Sequence, residues 1–159
     1  MTRLAVSLAA VLLSALAAVH LVRDARLAAH NKEPVAATLA RHAVDAPGVV
    51  IVFQPEDCLG NGDIVRRWNA LAGTPGLRVT GLVAGETISP AQQKVFADTG
   101  LRLKLRAIPH EAASLVAGKL GYTHTPFALV LDSRGRIAGS FPAGQNVPPE
   151  VAAALVSGS

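Results

Sequence analysis

The chain has 159 residues, of which 50% are hydrophobic and 4% aromatic, and it carries 15 Lys and Arg against 11 Asp and Glu. That length suits one domain, and a core built mainly from Ala, Val and Leu favours layered α/β packing over an aromatic-rich β-sandwich. The net charge of +4 is not concentrated in a basic cluster interleaved with aromatic residues, so no nucleic-acid partner is expected.

An uncharged apolar stretch of about 20 residues lies near the start of the chain, which is the length that a helix needs to cross a bilayer. It covers residues 4–22 between Arg3 and Arg23. We therefore predict a signal anchor over residues 1–22, a short juxtamembrane linker over 23–33 and one folded domain over 34–159.

The fate of this N-terminal segment has two interpretations. In the first, it stays as a single anchor in the cell membrane, and the domain faces the periplasm or the exterior. In the second, it is a signal peptide, because Ala15 and Ala17 match the small residues of a cleavage site, and cleavage near Ala17 releases the domain into the periplasm. In both, a single cysteine in an oxidising compartment has no partner for an internal disulfide.

Hydrophobic periodicity predicts alternating helices and strands after the linker. Apolar residues recur at helical spacing over 34–46, where Pro34 is a favourable first helical residue. The run VVIVF at 49–53 is typical of a strand that is covered on both faces. A second helix, with Trp68 on its apolar side, ends at the GTPG turn of residues 73–76.

The second half of the chain continues this alternation. Ser89 followed by Pro90 is a helix-start signal. Residues 101–108 alternate between leucine and basic residues, which predicts a strand whose leucines face the core and whose basic residues, Arg106 included, face water. The remaining predicted elements are strands at 77–85, 127–132 and 136–141 and helices at 110–121 and 148–158.

Strands that are separated by helices pair in parallel, and a terminal hairpin adds an antiparallel edge. We therefore predict an α/β fold, with a mixed sheet flanked by helices on both faces and with strands 49–53 and 77–83 as parallel neighbours. In such sheets, functional groups gather beyond the carboxyl ends of the central strands. Cys58, the only cysteine, lies there, shortly after Phe53.

Two stretches of sequence carry a resemblance to a known family. The first is VVIVFQPEDC, a strand that leads into Cys58, and the second is LGYTHTPFALVLDSRGRIAGSF, in which Thr125 and Pro126 come directly before a hairpin. Over residues 34–158, the chain resembles the membrane-anchored thioredoxin-like redoxins of the TlpA type, which are related to the AhpC/TSA proteins. The resemblance implies a thioredoxin-like fold, a cis bond between Thr125 and Pro126, and thiol-disulfide exchange at Cys58.

The chain departs from that family at the site itself. Asn61 stands where the family has the second cysteine of its Cys-x-x-Cys pair, so a mixed disulfide at Cys58 could not be resolved within the chain. The resemblance then implies a monothiol oxidoreductase with Cys58 as nucleophile and with Thr125, Pro126 and His124 as substrate-binding residues. It would act on protein or low-molecular-weight disulfides, and an external thiol would complete the reaction. The alternative is a redox-inactive module that binds a periplasmic partner protein.

The reactivity of Cys58 has opposing influences in the sequence. A helix N-terminus lowers a thiol pKa, whereas the two carboxylates that precede Cys58 raise it. The Gly-Asn-Gly turn predicts a helix start near Asn61 or Asp63, beyond Cys58, while a His124 imidazolium in contact would favour the thiolate. Cys58 and His124 alone are too few ligands for a metal, so neither a metal nor a cofactor is expected.

Overall fold

The computed structural model describes residues 32, 34–42, 44–58, 62–142 and 147–157. Its elements follow the predicted order, with one added helical turn after the first strand. They are α1 (34–41), β1 (Gly48–Phe53), α2 (Pro55–Cys58), α3 (Gly62–Ala72), β2 (Val79–Ala84), α4 (Pro90–Asp98), β3 (Lys104–Ile108), α5 (His110–Leu120), β4 (Phe127–Leu131), β5 (Ile137–Phe141) and α6 (Pro149–Ser157). The predicted N-terminal anchor lies outside the described residues, and within those residues no helix is both long and apolar enough to span a bilayer.

The five strands form one mixed sheet in the order β3-β2-β1-β4-β5. β1 is parallel to β2, and β2 is parallel to β3, whereas β4 runs antiparallel to both β1 and β5. The predicted parallel pair and the predicted hairpin are therefore both confirmed. With helices on both faces of the sheet, this arrangement is a thioredoxin-like α/β fold.

Alternate residues of β1 enter two separate cores, one on each face of the sheet. On the α3 face, Phe53 packs against Trp68 of α3 and Phe96 of α4, with ring centroids 5.1 and 5.7 Å apart. On the α5 face, Val52 joins a cluster with Val116 of α5. Every residue of β1 is buried, which explains its uninterrupted apolar sequence.

The start of α4 is set by the predicted sequence signal. The Ser89 hydroxyl accepts a hydrogen bond from the Gln92 backbone N–H (3.2 Å), and the Gln92 side-chain oxygen accepts one from the Ser89 N–H (2.8 Å). This reciprocal pair is a capping box. It fixes the helix that places Phe96 over Phe53, so a local signal helps to build the core above the end of β1.

β3 is shorter than predicted, since it starts at Lys104. The Arg102 N–H donates to the Asn69 side-chain oxygen at 2.8 Å and so is not available to a neighbouring strand. The expectation that the basic residues of this strand face water is wrong for Arg106, which is half-buried. Arg106 shares its side of the strand with Ile108, a member of the α5-face core, and this proximity to the core removes part of its side chain from solvent.

Candidate functional site

Cys58 lies beyond the carboxyl end of β1, as the last residue of the one-turn helix α2. Within this turn, the Gln54 N–H donates to the Asp57 carboxylate at 2.7 Å. The Cys58 side chain is only 1% exposed and belongs to the α3-face core, together with Phe53 and Phe96. The thiol is therefore enclosed by hydrophobic side chains and does not project from the sheet edge.

The surroundings of Cys58 favour the neutral thiol. Burial raises the pKa of the Cys58 thiol to about 12, and the negative charge of Asp57 acts in the same direction. The longer helix α3 begins only at Gly62, which agrees with the predicted helix start, and Cys58 stands at the carboxyl end of α2. The position of Cys58 therefore lacks the favourable N-terminal dipole that lowers the pKa of reactive thiols.

Asn61, which replaces the resolving cysteine of the Cys-x-x-Cys pair, lies outside the described residues. Its effect on the reaction therefore stays a prediction. His124 is described and exposed, but it makes no hydrogen bond to Cys58 in the described part of the chain. The structure therefore shows no hydrogen bond between these two described residues through which His124 would stabilise a Cys58 thiolate. Among the described residues, no group of three or more His, Cys, Asp or Glu is arranged to hold a metal ion.

Pro126 borders an open cavity of about 370 Å³ on the α3 face, which we call the Pro126 groove. The Thr125–Pro126 peptide bond is cis, as predicted, and it comes directly before β4. The groove is lined chiefly by apolar side chains of β1, α3, β4 and α6, and its defining residues are Ile51, Trp68, Leu71, Pro126, Val147 and Pro149. Cys58 is not among the lining residues.

The Pro126 groove also has charged residues in its lining that the sequence did not single out. Arg67 of α3 and Glu150 of α6 both line it, and neither forms an ion pair with another described residue. Trp68, interpreted from its spacing as a core residue, is half-buried and contributes to both the core and the groove. The helical period alone could not reveal these roles, because they depend on how α6 packs beside α3.

Thr125 and His124 line a second cavity, of about 360 Å³, on the α5 face. Asp57, Ala84 and His110 are also in its lining, so this polar cavity collects side chains from four separate segments of the chain. The predicted substrate-binding residues are thus divided between two cavities. Pro126 lines the groove on one face, and Thr125 and His124 line the polar cavity on the other.

Comparison with protein-family models and with curated proteins yields no match. Solved structures do match. The structure of MTB DsbF is 14% identical over 69% of this chain and 81% of that chain, with a TM-score of 0.48. A secreted Mycobacterium tuberculosis disulfide oxidoreductase, homologous to E. coli DsbE, is 11% identical over 70% and 81%, with a TM-score of 0.47. A secreted thiol-disulfide isomerase from Corynebacterium glutamicum is 26% identical over 69% and 71%, with a TM-score of 0.41.

Two of these neighbours are named for thiol-disulfide chemistry, so redox proteins are among the structures that this chain resembles. The strand order β3-β2-β1-β4-β5 and the cis Thr125–Pro126 bond directly before β4 are features of the thioredoxin-like fold.

Proposed function

We propose that this protein is a thioredoxin-like binding module that holds a segment of a partner protein in the Pro126 groove. The observation that carries the proposal is the separation of the groove from the thiol. Pro126 borders an open cavity, whereas Cys58 is enclosed in the core and does not line that cavity. A segment seated in the groove would therefore meet apolar side chains and no sulfur.

The lining of the Pro126 groove indicates what kind of segment it suits. Trp68, Leu71 and Pro126 offer apolar surface to an aliphatic or aromatic side chain of the partner. Arg67 and Glu150 lie on different helices, and a partner segment with charges on both sides of its apolar residue would pair with them. Such charge pairing selects the orientation of a bound segment more than it adds affinity.

We also propose that residues 1–22 hold the protein at the cell membrane, with the domain facing the periplasm or the exterior. The support is the uncharged apolar stretch over residues 4–22, which has the length of a membrane-spanning helix. Release of the domain after cleavage near Ala17 is the alternative.

Substitution of Ala70 by Glu is expected to weaken partner binding at least about tenfold, because it places a carboxylate in an apolar contact. Ala70 is exposed and lines the Pro126 groove. A photo-crosslinking residue at position 70 of the full chain would identify the partner segment, and titration with that segment would give the affinity. The matched control is Ala97→Glu, the same change at an exposed position of α4 that does not line the groove.

Two results would contradict the binding module. One is an affinity that Ala70→Glu and Ala97→Glu change equally. The other is a partner interaction that disappears in Cys58→Ala, since the thiol is not part of the groove and its removal should leave the affinity unchanged.

A monothiol thiol-disulfide oxidoreductase is the second candidate function. The observation in its favour is that the only cysteine of the chain ends α2, the helical turn after the central strand β1, at the carboxyl edge of the sheet. In this reaction the Cys58 thiolate attacks one sulfur of the substrate disulfide and forms a mixed disulfide, while the other substrate half leaves as a thiolate. An external thiolate then attacks the substrate sulfur of the mixed disulfide, so that Cys58 leaves as a thiolate and the bound half departs as a disulfide with the external thiol. Reduction of a glutathione mixed disulfide that Cys58→Ser abolishes, and that Asn61→Cys accelerates, would select this candidate.

A further inference from the structure

Basic side chains gather at the edge of the sheet where the parallel strands begin. Arg78 immediately precedes β2, and its carbonyl accepts a hydrogen bond from the Val49 N–H at the start of β1 (2.7 Å). Lys104 opens β3, and its Nζ lies 3.0 Å from Oδ2 of Asp45. Arg106 follows on the same side of β3.

Asp45 is the carboxylate that these three cations share. A hydrogen bond from Lys104 and the charge of Lys104 lower the pKa of Asp45, and Arg106 and Arg78 add to the effect. The Nε of Arg106 is buried and has no hydrogen-bond partner in the described part of the chain. A single carboxylate leaves this group of cations with an excess of positive charge.

The turn between β4 and β5 brings two more cations to the same edge. Gly135 lies against the segment before β1, since a Cβ at Gly135 would be 3.8 Å from the Ala46 Cβ. In this turn, the Asp132 carboxylate accepts hydrogen bonds from the backbone N–H groups of Arg134 and Arg136, both at 2.9 Å. The Arg136 guanidinium pairs with the same carboxylate at 2.7 Å, whereas the exposed Arg134 side chain has no ion-pair partner among the described residues.

We call this surface the basal edge, and its cations outnumber its carboxylates. It consists of Arg78, Lys104, Arg106, Arg134 and Arg136 together with Asp45 and Asp132. The opposite edge, where the parallel strands end, carries the reverse charge. There β1 is followed by Glu56 and Asp57, β2 by Glu86, and β3 by Glu111. The two ends of the sheet therefore differ in the sign of their charge.

We infer that the basal edge rests on an anionic phospholipid surface. The inference depends on the proposed membrane location and is independent of the proposed groove binding. Lys and Arg clusters close to a membrane anchor are attracted by anionic headgroups. A linker over residues 23–33 would reach at most about 40 Å when fully extended, which keeps the domain close to the bilayer.

This orientation has a consequence for the Pro126 groove. Pro126 precedes Phe127, which pairs with Val52 near the carboxyl end of β1, so Pro126 lies at the end of the sheet opposite the basal edge. With the basal edge on the bilayer, the Pro126 region points away from the membrane, where a periplasmic partner can reach it.

The inference is tested with the full chain in lipid nanodiscs that contain either phosphatidylcholine alone or phosphatidylcholine with phosphatidylglycerol. A fluorophore is attached to Ser133→Cys, in the turn of the basal edge, in a Cys58→Ala background, and the lipid headgroups carry a quencher. We expect quenching in the anionic discs and not in the neutral ones, with loss of quenching at high salt. The matched label is at Thr87→Cys, an exposed position near the acidic edge, and it should stay unquenched in both.

A charge variant makes the test specific to the basal edge. Arg78→Gln combined with Arg134→Gln removes two exposed cations and is expected to lower the docking equilibrium roughly 25-fold, at about fivefold for each charge. The control is Arg66→Gln combined with Lys94→Gln, which removes two exposed cations from α3 and α4 and should leave docking unchanged. Circular dichroism verifies that each variant is folded.

Equal quenching in neutral and anionic discs, or quenching of the Thr87 label in place of the Ser133 label, would overturn the inference. If the chain does not insert into discs, the proposed anchor fails, and the labels are then measured with vesicles added from outside. The basal-edge inference stands in that case only if anionic vesicles quench the Ser133 label and neutral vesicles do not. Neither outcome affects the Ala70 measurement, so failure here is distinct from failure of the groove proposal.

Discussion

Cys58 is expected to react with iodoacetamide at least about a thousandfold more slowly in the folded protein than an exposed cysteine does. At pH 8, a thiol with a pKa of about 12 is ionised to about one part in 10⁴, whereas a thiol with a pKa near 8.5 is about a quarter ionised. Because the thiolate is the reactive form, this difference in ionisation and the 1% exposure of Cys58 together account for the factor.

The matched reference for this measurement is Ser114→Cys in a Cys58→Ala background, which places a thiol at an exposed position of α5. Both proteins are followed by mass spectrometry at several pH values, with and without urea. The Cys58 thiol should react at the reference rate only after unfolding. Equal native rates for the two cysteines would contradict the enclosed thiol and would favour the monothiol oxidoreductase over the binding module.

The same raised pKa makes the stability of the protein depend on pH in the alkaline range. The folded state keeps the Cys58 proton up to about pH 12, whereas the unfolded state loses it near the ordinary thiol pKa of 9.0. The stabilising contribution is therefore complete below pH 9 and is lost as the pH rises towards 12. We expect the free energy of unfolding of the wild type, relative to Cys58→Ala, to fall by up to about 1.4 kcal/mol per pH unit in this window.

Phe53→Ala is expected to lower the free energy of unfolding by about 3–5 kcal/mol, which is the usual cost of removing a fully buried aromatic ring. Phe53 has no exposed surface, and its ring packs against both Trp68 and Phe96. It also fills the space above Gly81, where an added Cβ would be 2.9 Å from the Phe53 ring. Because Trp68, Phe96 and Gly81 hold their positions around the Phe53 ring, the surrounding residues can fill little of the space that the ring leaves. The energetic cost of the remaining cavity should therefore be large.

Urea denaturation of the full-length wild type and variants measures this effect. The matched control is Leu115→Ala, which truncates an apolar side chain on α5 that is 41% exposed and should cost less than about 1 kcal/mol. A loss below about 1 kcal/mol for Phe53→Ala would contradict the packing of Trp68 and Phe96 against Phe53. The same variant should also let Cys58 react faster in the folded protein, because Cys58 belongs to the same core.

The sequence predicted the elements whose signals are local. The apolar run of β1, the helix start at Ser89 and Pro90 and the hairpin of β4 and β5 were each predicted from neighbouring residues, and each is present. The position of Cys58 after β1 could also be predicted. Its burial could not, because the side chains that enclose it include Phe96, which belongs to a helix distant in sequence.

The same limit applies to charge and to cavities. Strict alternation over residues 101–108 predicted that Arg106 would face water, yet its Nε is buried among groups brought together by the fold. The Pro126 groove likewise requires α3 and α6 to flank the same part of the sheet, and no pattern within either helix specifies that placement. Periodicity gives the buried side of an element but not which distant element will cover it.

Thr125 and Pro126 are neighbours in the chain, yet they line cavities on opposite faces of the sheet. One rigid peptide unit joins them, so a displacement of either residue is transmitted to the other. A ligand that shifts Thr125 in the polar cavity would therefore change the affinity of the Pro126 groove. By thermodynamic linkage, a segment bound in the groove would change the affinity of the polar cavity by the same factor. This dipeptide is the covalent link between two cavities whose lining residues, in the described part of the chain, have no member in common.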